Sequence, residues 1–252
     1  MYWLPHIADE KLDLDSPFYR EWKKRMGSPL HFQTVRVSGL HWIPVEGPAI
    51  VAPNHLNWKD IFLTAAVVAR QLYFVGTYEL FDPRVCRRMI YKHILRTLRP
   101  HRRVKPFFKW LAAYLAHLIA PRVQRVGTIP IKRNDHDRGF FDVAKEYLRM
   151  GRAICIFPEG RVGDGKKLHT FKLGTAKLVL DLYQEGRRRI PVLPVAIKGT
   201  EKLFLPGRRL DFHVGPPIFV DDYIQERDRA TLVAFTRALQ EKVAELFHRK
   251  WD

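Results

Sequence analysis

A histidine and an aspartate five positions apart are the residues whose types and spacing most directly suggest catalysis. They lie in the segment Asn54-His55-Leu56-Asn57-Trp58-Lys59-Asp60, between a short apolar strand and a helix. Histidine is the natural general base near neutral pH, and a carboxylate beside it fixes the tautomer and stabilises the imidazolium. A spacing of five across a strand-to-helix turn can bring Asp60 to the His55 ring. The alternative is that His55 serves only the turn and that Asp60 caps the helix.

A carboxylate and an arginine follow a second apolar strand. They belong to Phe157-Pro158-Glu159-Gly160-Arg161, which comes directly after Ala153-Ile154-Cys155-Ile156. At the carboxyl end of a strand such side chains are placed to meet a polar ligand, and the donors of arginine match phosphate. Phe171-Lys172-Leu173-Gly174 then opens a helix whose first N–H groups could hold an anion. The alternative is a turn in which proline and glycine have only backbone roles.

Two further segments complete the set. Gly127-Thr128-Ile129-Pro130-Ile131-Lys132-Arg133 indicates a strand that ends in Arg133, a side chain suited to phosphate or simply part of a basic strand edge. Ile190-Pro191-Val192-Leu193-Pro194-Val195 indicates, by itself, only a buried strand.

The elements that must position these residues alternate between strands and helices. This order predicts an α/β fold, with a mixed, largely parallel sheet flanked by helices. The predicted strands are 32–38, 49–52, 72–75, 125–132, 153–157, 192–197 and 211–214. The predicted helices are 17–26, 59–69, 84–99, 137–150, 173–184 and 231–247. We expect a short N-terminal helical segment over residues 1–30, with possible membrane contact, and a single domain over residues 31–252.

The composition is that of a globular chain rather than a disordered one. Of 252 residues, 46% are apolar and 28% are charged. Cys86 and Cys155 are too few for a disulfide scaffold or a four-cysteine zinc site. The N-terminus lacks the basic start and apolar run of a signal peptide, so we expect a cytoplasmic chain with reduced thiols. No stretch reaches the roughly 18 apolar residues of a membrane-spanning helix.

The net charge of +18 is concentrated in one region. The span from Pro83 to Asn134 has 14 Lys and Arg residues and no Asp or Glu. A helix over 84–99 would carry basic residues on one side and apolar residues on the other, and the apolar stretch 107–120 follows it. This pairing suits adsorption to an anionic membrane surface. A solvated basic face on an ordinary core and a nucleic-acid contact are the open alternatives.

Taken in order, the four segments resemble the pattern of the glycerolipid acyltransferase family, which includes the 1-acylglycerol-3-phosphate acyltransferases. That pattern is Asn-His-x4-Asp, Gly-x5-Arg, Phe-Pro-Glu-Gly and Val-Pro-x-x-Pro-Val, and all four occur here in the family's order. The resemblance covers about residues 32–220. One departure is that many members continue Phe-Pro-Glu-Gly with Thr-Arg-Ser, where this chain has Arg161-Val162-Gly163.

The resemblance implies an O-acyltransferase. In such an enzyme His55 takes the proton from a hydroxyl of the acceptor lipid, and the oxygen attacks the carbonyl of an acyl thioester. Asp60 orients His55 and stabilises its charged form. The acyl donor is acyl-CoA or acyl-carrier protein, and no metal or tightly bound cofactor is expected.

The resemblance also implies the groups that bind the acceptor. Arg133 and Arg161 would hold the acceptor phosphate. Glu159, with Gly160, would fix the acceptor or the backbone of the site itself. Lys172 would contact the phosphate or the oxyanion region.

The partners expected are a lysophospholipid acceptor, an acyl thioester donor and an anionic membrane surface, with no nucleic acid. The acceptor we expect is 1-acylglycerol-3-phosphate, giving phosphatidic acid, at the inner face of the membrane. Two alternatives stay open: the same chemistry on another lyso-lipid, and a non-catalytic basic module that binds membrane or nucleic acid.

Overall fold

The part of the protein that the structure, a computed structural model, describes comprises residues 20–21, 34–98, 100–131, 138–163, 167–201 and 209–249. The predicted helix 17–26 and the predicted segment 1–30 lie outside these residues, apart from Arg20 and Glu21. Within the described part, seven strands and six α-helices alternate along the chain.

The bounds of the elements are as follows. The strands are β1 (Thr34–Ser38), β2 (Ala49–Pro53), β3 (Leu72–Thr77), β4 (Ile129–Ile131), β5 (Ala153–Cys155), β6 (Val192–Lys198) and β7 (Arg209–Val214). The helices are α1 (Lys59–Val67), α2 (Pro83–Leu98), α3 (Lys105–Arg125), α4 (Arg138–Arg149), α5 (Gly174–Gly186) and α6 (Asp228–His248).

One predicted strand is much shorter than expected. The strand predicted over 125–132 begins only at Ile129, because α3 continues through Pro121 to Arg125. Pro121 has no N–H to donate, and an interior proline usually ends a helix. Here the guanidinium of Arg122 donates to the carbonyl oxygen of Leu118 at 2.7 Å, which gives this turn an added hydrogen bond.

The strands form a sheet in the order β1-β7-β6-β2-β5-β3-β4. The pair β6–β7 is antiparallel and the other neighbouring pairs are parallel. The predicted α/β fold with a mixed, largely parallel sheet is therefore confirmed. All five residues of β2 are buried, as is typical of a parallel strand covered on both faces.

The chain divides into two compact units. One comprises Val75–Phe140 and holds α2, α3 and β4, with α2 and α3 packed against each other. The other comprises, among the described residues, 20–21, 34–74 and 141–249, and holds the main apolar core. The single domain predicted over residues 31–252 stays a prediction.

The helix α3 buries one face and exposes another. Its buried face carries Ala112, Ala116 and Ala120, each at most 2% exposed. Phe107, Trp110 and Tyr114 lie on the opposite side and are 58%, 62% and 52% exposed. We call these three residues the aromatic ridge. Among the described residues, no helix is long and apolar enough to cross a membrane.

A buried histidine in the larger unit makes the stability sensitive to mild acid. His213 on β7 is fully buried, and its Nδ1 lies 2.7 Å from the hydroxyl oxygen of Ser38 on the neighbouring β1. Burial of the ring is the main cause that lowers the pKa of His213 from 6.5 to about 4. As pH falls from 6.5 to 4, the unfolded chain therefore binds this proton before the folded chain does, and stability is lost.

We expect His213 alone to cost about 2 kcal/mol of unfolding free energy between pH 7 and pH 5. That loss corresponds to a fall of about 4–8 °C in Tm for a chain of this size. His213→Gln removes the titrating group, so the Tm of this variant should fall less over the same interval. The control is His41→Gln, which changes an exposed histidine and should follow the wild-type pH dependence. If Tm fell equally between pH 7 and pH 5 in His213→Gln and in wild type, His213 would not be the cause of the loss in stability.

Candidate active site

Three neighbouring strands deliver the candidate residues to one edge of the sheet. The strands β6, β2 and β5 lie side by side and run parallel, so their carboxyl ends meet. His55 follows β2, Glu159 follows β5, and Thr200 follows β6. Such an edge is where α/β folds place their binding sites.

His55 and Asp60 are brought together as the spacing predicts. The Nδ1 atom of His55 lies 3.0 Å from Oδ2 of Asp60, and the Asp60 side chain is fully buried. A carboxylate partner selects the tautomer with the proton on Nδ1, which leaves a lone pair on Nε2. The His55 ring also stacks on Phe157, with 4.1 Å between centroids. The arrangement fits a general base that accepts a proton at Nε2.

The carboxylate of Asp60 accepts two further hydrogen bonds. The backbone N–H of Asn57 donates to Oδ2 at 2.8 Å, and the hydroxyl of Thr200 donates to Oδ1. Lys59, which precedes Asp60 in the chain, is also buried. Burial lowers the pKa of Lys59, and the negative charges of Asp60 and Glu201 oppose that shift.

Glu159 joins the His55 loop to the loop that precedes α5. Its Oε1 accepts the backbone N–H of His55 at 2.9 Å, and its Oε2 accepts the backbone N–H of His169 at 3.1 Å. Burial raises the pKa of Glu159, and the two N–H donors oppose this by stabilising the carboxylate. Of the two roles expected for Glu159, the geometry supports the one of fixing the backbone of the site.

Glu159→Gln should loosen both loops. A glutamine amide offers only one acceptor oxygen, and its NH₂ group would face an N–H donor. We expect a loss of about 1–3 kcal/mol in unfolding free energy and faster hydrogen exchange at the amides of His55 and His169. Glu226→Gln, at an exposed position, is the control. Unchanged exchange at both amides would show that the bridge does not hold the loops.

A cationic cleft of about 550 Å³ lies beside Glu159. Arg161, Lys167 and Lys172 contribute positive side chains to its wall. The guanidinium of Arg161 donates to Nδ1 of His169 at 2.9 Å. The cleft has the charge and the donors to bind an anionic group.

Gly160 allows the chain to turn at the cleft. Its φ of +64° is a left-handed conformation that favours glycine. A Cβ atom here would lie 2.9 Å from the Cδ and Cε atoms of Lys172. Gly160 therefore leaves room for the Lys172 side chain along the cleft.

The structure places some of the predicted site residues and not others. His55, Asp60, Glu159, Gly160, Arg161 and Lys172 lie in the larger unit at or beside this edge of the sheet. Arg133 lies outside the described residues. Within those residues, no group of three or more His, Cys, Asp or Glu side chains is placed to hold a metal ion.

Two contacts involve residues that sequence reasoning missed. Thr200 stands directly after an apolar strand, and its position at a strand end is the signal that could have identified it. His169 lies in an irregular loop, where no periodicity or spacing marks it.

Comparison with a family model gives a match over about two thirds of the chain. The model of the acyltransferase family matches residues 34–198. This range contains β1 to β6, with His55, Asp60, Glu159, Arg161 and Lys172.

Two curated proteins are similar to this chain. It is 21% identical to the 1-acyl-sn-glycerol-3-phosphate acyltransferase of Bacillus subtilis over 217 residues, covering 84% of this chain and 87% of that protein. It is 28% identical to the lyso-ornithine lipid O-acyltransferase of Pseudomonas aeruginosa over 179 residues, covering 71% of this chain and 52% of that protein. The chain thus spans about half the length of the second relative.

One solved structure has a similar fold. It is the crystal structure of the 1-acyl-sn-glycerophosphate (LPA) acyltransferase PlsC from Thermotoga maritima, with a TM-score of 0.60 and 20% sequence identity. The match covers 93% of this chain and 81% of that one.

Proposed function

This chain belongs to the acyltransferase family, and from that premise we propose that it transfers a fatty acyl group from an acyl thioester to the free hydroxyl of a lysophospholipid. The acceptor we propose is 1-acylglycerol-3-phosphate, and the product is phosphatidic acid. The observation that carries this proposal is the His55–Asp60 pair, at 3.0 Å, whose tautomer leaves a lone pair on Nε2.

In the first step, Nε2 of His55 takes the proton from the acceptor hydroxyl as its oxygen attacks the thioester carbonyl carbon. The carbon–oxygen bond forms, and negative charge moves to the carbonyl oxygen. Asp60 keeps its negative charge and stabilises the imidazolium through Nδ1. The nucleophile comes from the substrate, so no acyl-enzyme intermediate is required.

In the second step, the tetrahedral intermediate collapses and the carbon–sulfur bond breaks. The proton held on His55 passes to the sulfur, so the products are an ester and a free thiol. The acyl donor is acyl-CoA or acyl-carrier protein, and both release a thiol that can be counted.

The cationic cleft is our proposed site for the acceptor phosphate. Arg161 and Lys172 supply charge-assisted donors on its wall, and Lys167 adds a third positive side chain. Arg133, at the end of its motif, is proposed as a further phosphate ligand. Glu159 holds the two loops that bear His55 and His169. It would therefore fix the position of the cleft relative to the catalytic base.

A second acceptor merits a test because of the relative from Pseudomonas aeruginosa. That protein is named for a lyso-ornithine lipid, and this chain is 28% identical to it over 179 residues, against 21% over 217 residues for the relative from Bacillus subtilis. An ornithine headgroup is zwitterionic, because it carries an ammonium group and a carboxylate, whereas the phosphate of 1-acylglycerol-3-phosphate carries only negative charge. The cleft wall carries three cationic side chains. The charge of the cleft therefore favours the phosphate-bearing acceptor.

We further propose that the protein adsorbs to an anionic membrane from the cytoplasmic side, without crossing it. The aromatic ridge supports this, because tryptophan, tyrosine and phenylalanine favour the membrane interface. Within the ridge, the centroids of Trp110 and Tyr114 are 5.8 Å apart and those of Phe107 and Trp110 are 6.2 Å apart, so it forms a continuous apolar surface.

Basic side chains supply the charge complementarity for that contact. Those exposed on α2, in the turn before α3 and at the start of α3 are Arg84, Arg87, Arg88, Lys92, Arg102, Arg103, Lys105 and Lys109. Each basic residue near an anionic surface adds about 1 kcal/mol of attraction. A lipid surface would satisfy the ridge and these charges together, whereas a nucleic acid would leave the aromatic side chains in water.

The reaction is tested by counting the thiol released from a long-chain acyl-CoA, with and without 1-acylglycerol-3-phosphate. The same assay is run with lyso-ornithine lipid and with acyl-carrier protein as donor. The protein's own thiols should give little background, since Cys86 and Cys155 are buried and burial raises the pKa of both.

Thiol release that depends on 1-acylglycerol-3-phosphate and yields phosphatidic acid is the expected result. Release that depends on lyso-ornithine lipid would keep the chemistry and change the acceptor. No release with any of these donors and acceptors, in a folded protein that binds anionic vesicles, would favour the non-catalytic module.

A further inference from the structure

We infer that Thr200 is a positioning residue for the reaction: its buried hydroxyl holds the carboxylate of Asp60 in the orientation that serves His55. The inference rests on the proposed function, and it adds to the site a residue that follows β6 and is distant in sequence from His55 and Asp60. Thr200 and Asp60 are both completely buried, and Oγ1 of Thr200 donates to Oδ1 of Asp60.

The turn after β6 is built to bring Thr200 to this point. Gly199 has a φ of +88°, a left-handed conformation that favours glycine. A Cβ atom on Gly199 would lie 2.5 Å from the carbonyl oxygen of Arg209, at the start of β7. Glycine at position 199 therefore lets the chain turn closely against β7 and point Thr200 inward.

A second contact fixes the distance between the two loops. The side-chain amide of Asn54 accepts the backbone N–H of Ile197 at 2.7 Å and donates to the carbonyl oxygen of Ile197 at 3.1 Å. In this way Asn54 extends the pairing of β2 with β6 by one residue, through its side chain. His55 and Thr200 follow these paired residues, so they are held in register.

The division of hydrogen bonds on Asp60 explains what Thr200 adds. Oδ2 accepts from the ring of His55 and from the backbone of Asn57, while Oδ1 accepts from Thr200. A fully buried carboxylate oxygen that loses its donor has no water to replace it. The carboxylate would then rotate to share Oδ2, and the His55 ring would lose its fixed orientation.

The test compares Thr200→Val with Thr200→Ser. Valine keeps the branched shape and removes the hydroxyl, whereas serine restores the hydroxyl on a smaller side chain. We expect kcat for acyl transfer to fall about tenfold to thirtyfold in Thr200→Val, with KM for acceptor and donor within about twofold of wild type. Thr200→Ser should recover most of that loss.

Thr64→Val is the matched control. Thr64 is also completely buried, and its hydroxyl donates to the backbone carbonyl of Asp60 at 2.7 Å rather than to the carboxylate. This variant should lose stability without the selective loss of kcat. A normal kcat in Thr200→Val, no rescue by serine, or an equal fall of kcat in Thr64→Val would each overturn the inference.

A spectroscopic measurement separates this inference from the proposed function. In protein labelled with ¹⁵N-histidine, the Nδ1–H proton of His55 should give a downfield resonance because it is hydrogen-bonded to Asp60. That resonance should weaken or move upfield in Thr200→Val and remain in Thr200→Ser and Thr64→Val. If the resonance changes in this way among the variants but wild type performs no acyl transfer, the proposed function fails and the positioning role stands. An unchanged resonance in Thr200→Val would overturn the positioning role.

Discussion

Replacing His55 with alanine is expected to reduce acyl transfer about a thousandfold, with little change in binding to vesicles. The variant loses the atom that accepts the proton from the acceptor hydroxyl, so attack on the thioester would require water to act as the base. The membrane contact that we propose lies on α2 and α3, in the other unit of the chain. The measurement is single-turnover thiol release at saturating acceptor, together with a vesicle sedimentation assay.

Two variants make this prediction specific. His41→Ala removes an exposed histidine of the same unit and should keep the wild-type rate. Asp60→Asn should slow transfer about a hundredfold, because an amide nitrogen facing Nδ1 disfavours the tautomer that leaves Nε2 free. If His55→Ala, folded and still bound to vesicles, kept a near-normal rate, His55 would not be the base.

Changing the three residues of the aromatic ridge to serine is expected to weaken binding to vesicles of phosphatidylcholine and phosphatidylglycerol about a hundredfold. Each ring is more than half exposed in the protein alone, so it gains interfacial burial only when a lipid surface covers it. About 1 kcal/mol per ring gives about 3 kcal/mol in total, which is about a hundredfold in affinity. The alanine face of α3 is unchanged, so its packing against α2 should persist and can be checked by circular dichroism.

The control removes the same number of exposed apolar side chains elsewhere. Trp42, Val45 and Ile224 are 41%, 79% and 47% exposed and lie in the other unit. Changing these three to serine should leave vesicle affinity within about threefold of wild type, because they lie outside the membrane contact that we propose. Equal losses in the two triple variants would show that the aromatic ridge is not a specific membrane contact.

The local part of the site is predictable from the sequence because it lies within one strand-to-helix turn. His55 and Asp60 are close in the chain, and an apolar strand ahead of them places them at a sheet edge. The alternation of apolar and amphipathic segments likewise predicts the α/β fold, since parallel strands buried on both faces have a distinctive composition.

The remainder depends on contacts that no local pattern contains. The bond from Thr200 to Asp60 spans 140 positions and that from His55 to Glu159 spans 104. The pairing of Arg161 with His169 depends on the path of an irregular loop. For α3, helical spacing separates Phe107, Trp110 and Tyr114 from the three alanines, but only the packed structure shows which face is covered.

The supports of Asp60 and His55 arrive late in the chain, and this gives the site an assembly order. The pair itself lies near the first strands, whereas Glu159 follows β5 and Thr200 follows β6. A nascent chain that ends between Glu159 and β6 carries both members of the pair and Glu159, but not the hydroxyl of Thr200 that donates to Asp60. Full activity is therefore expected only after β6 and the turn that carries Thr200 have joined the sheet, and a chain that ends before Thr200 would hold the His55 ring in a less fixed orientation.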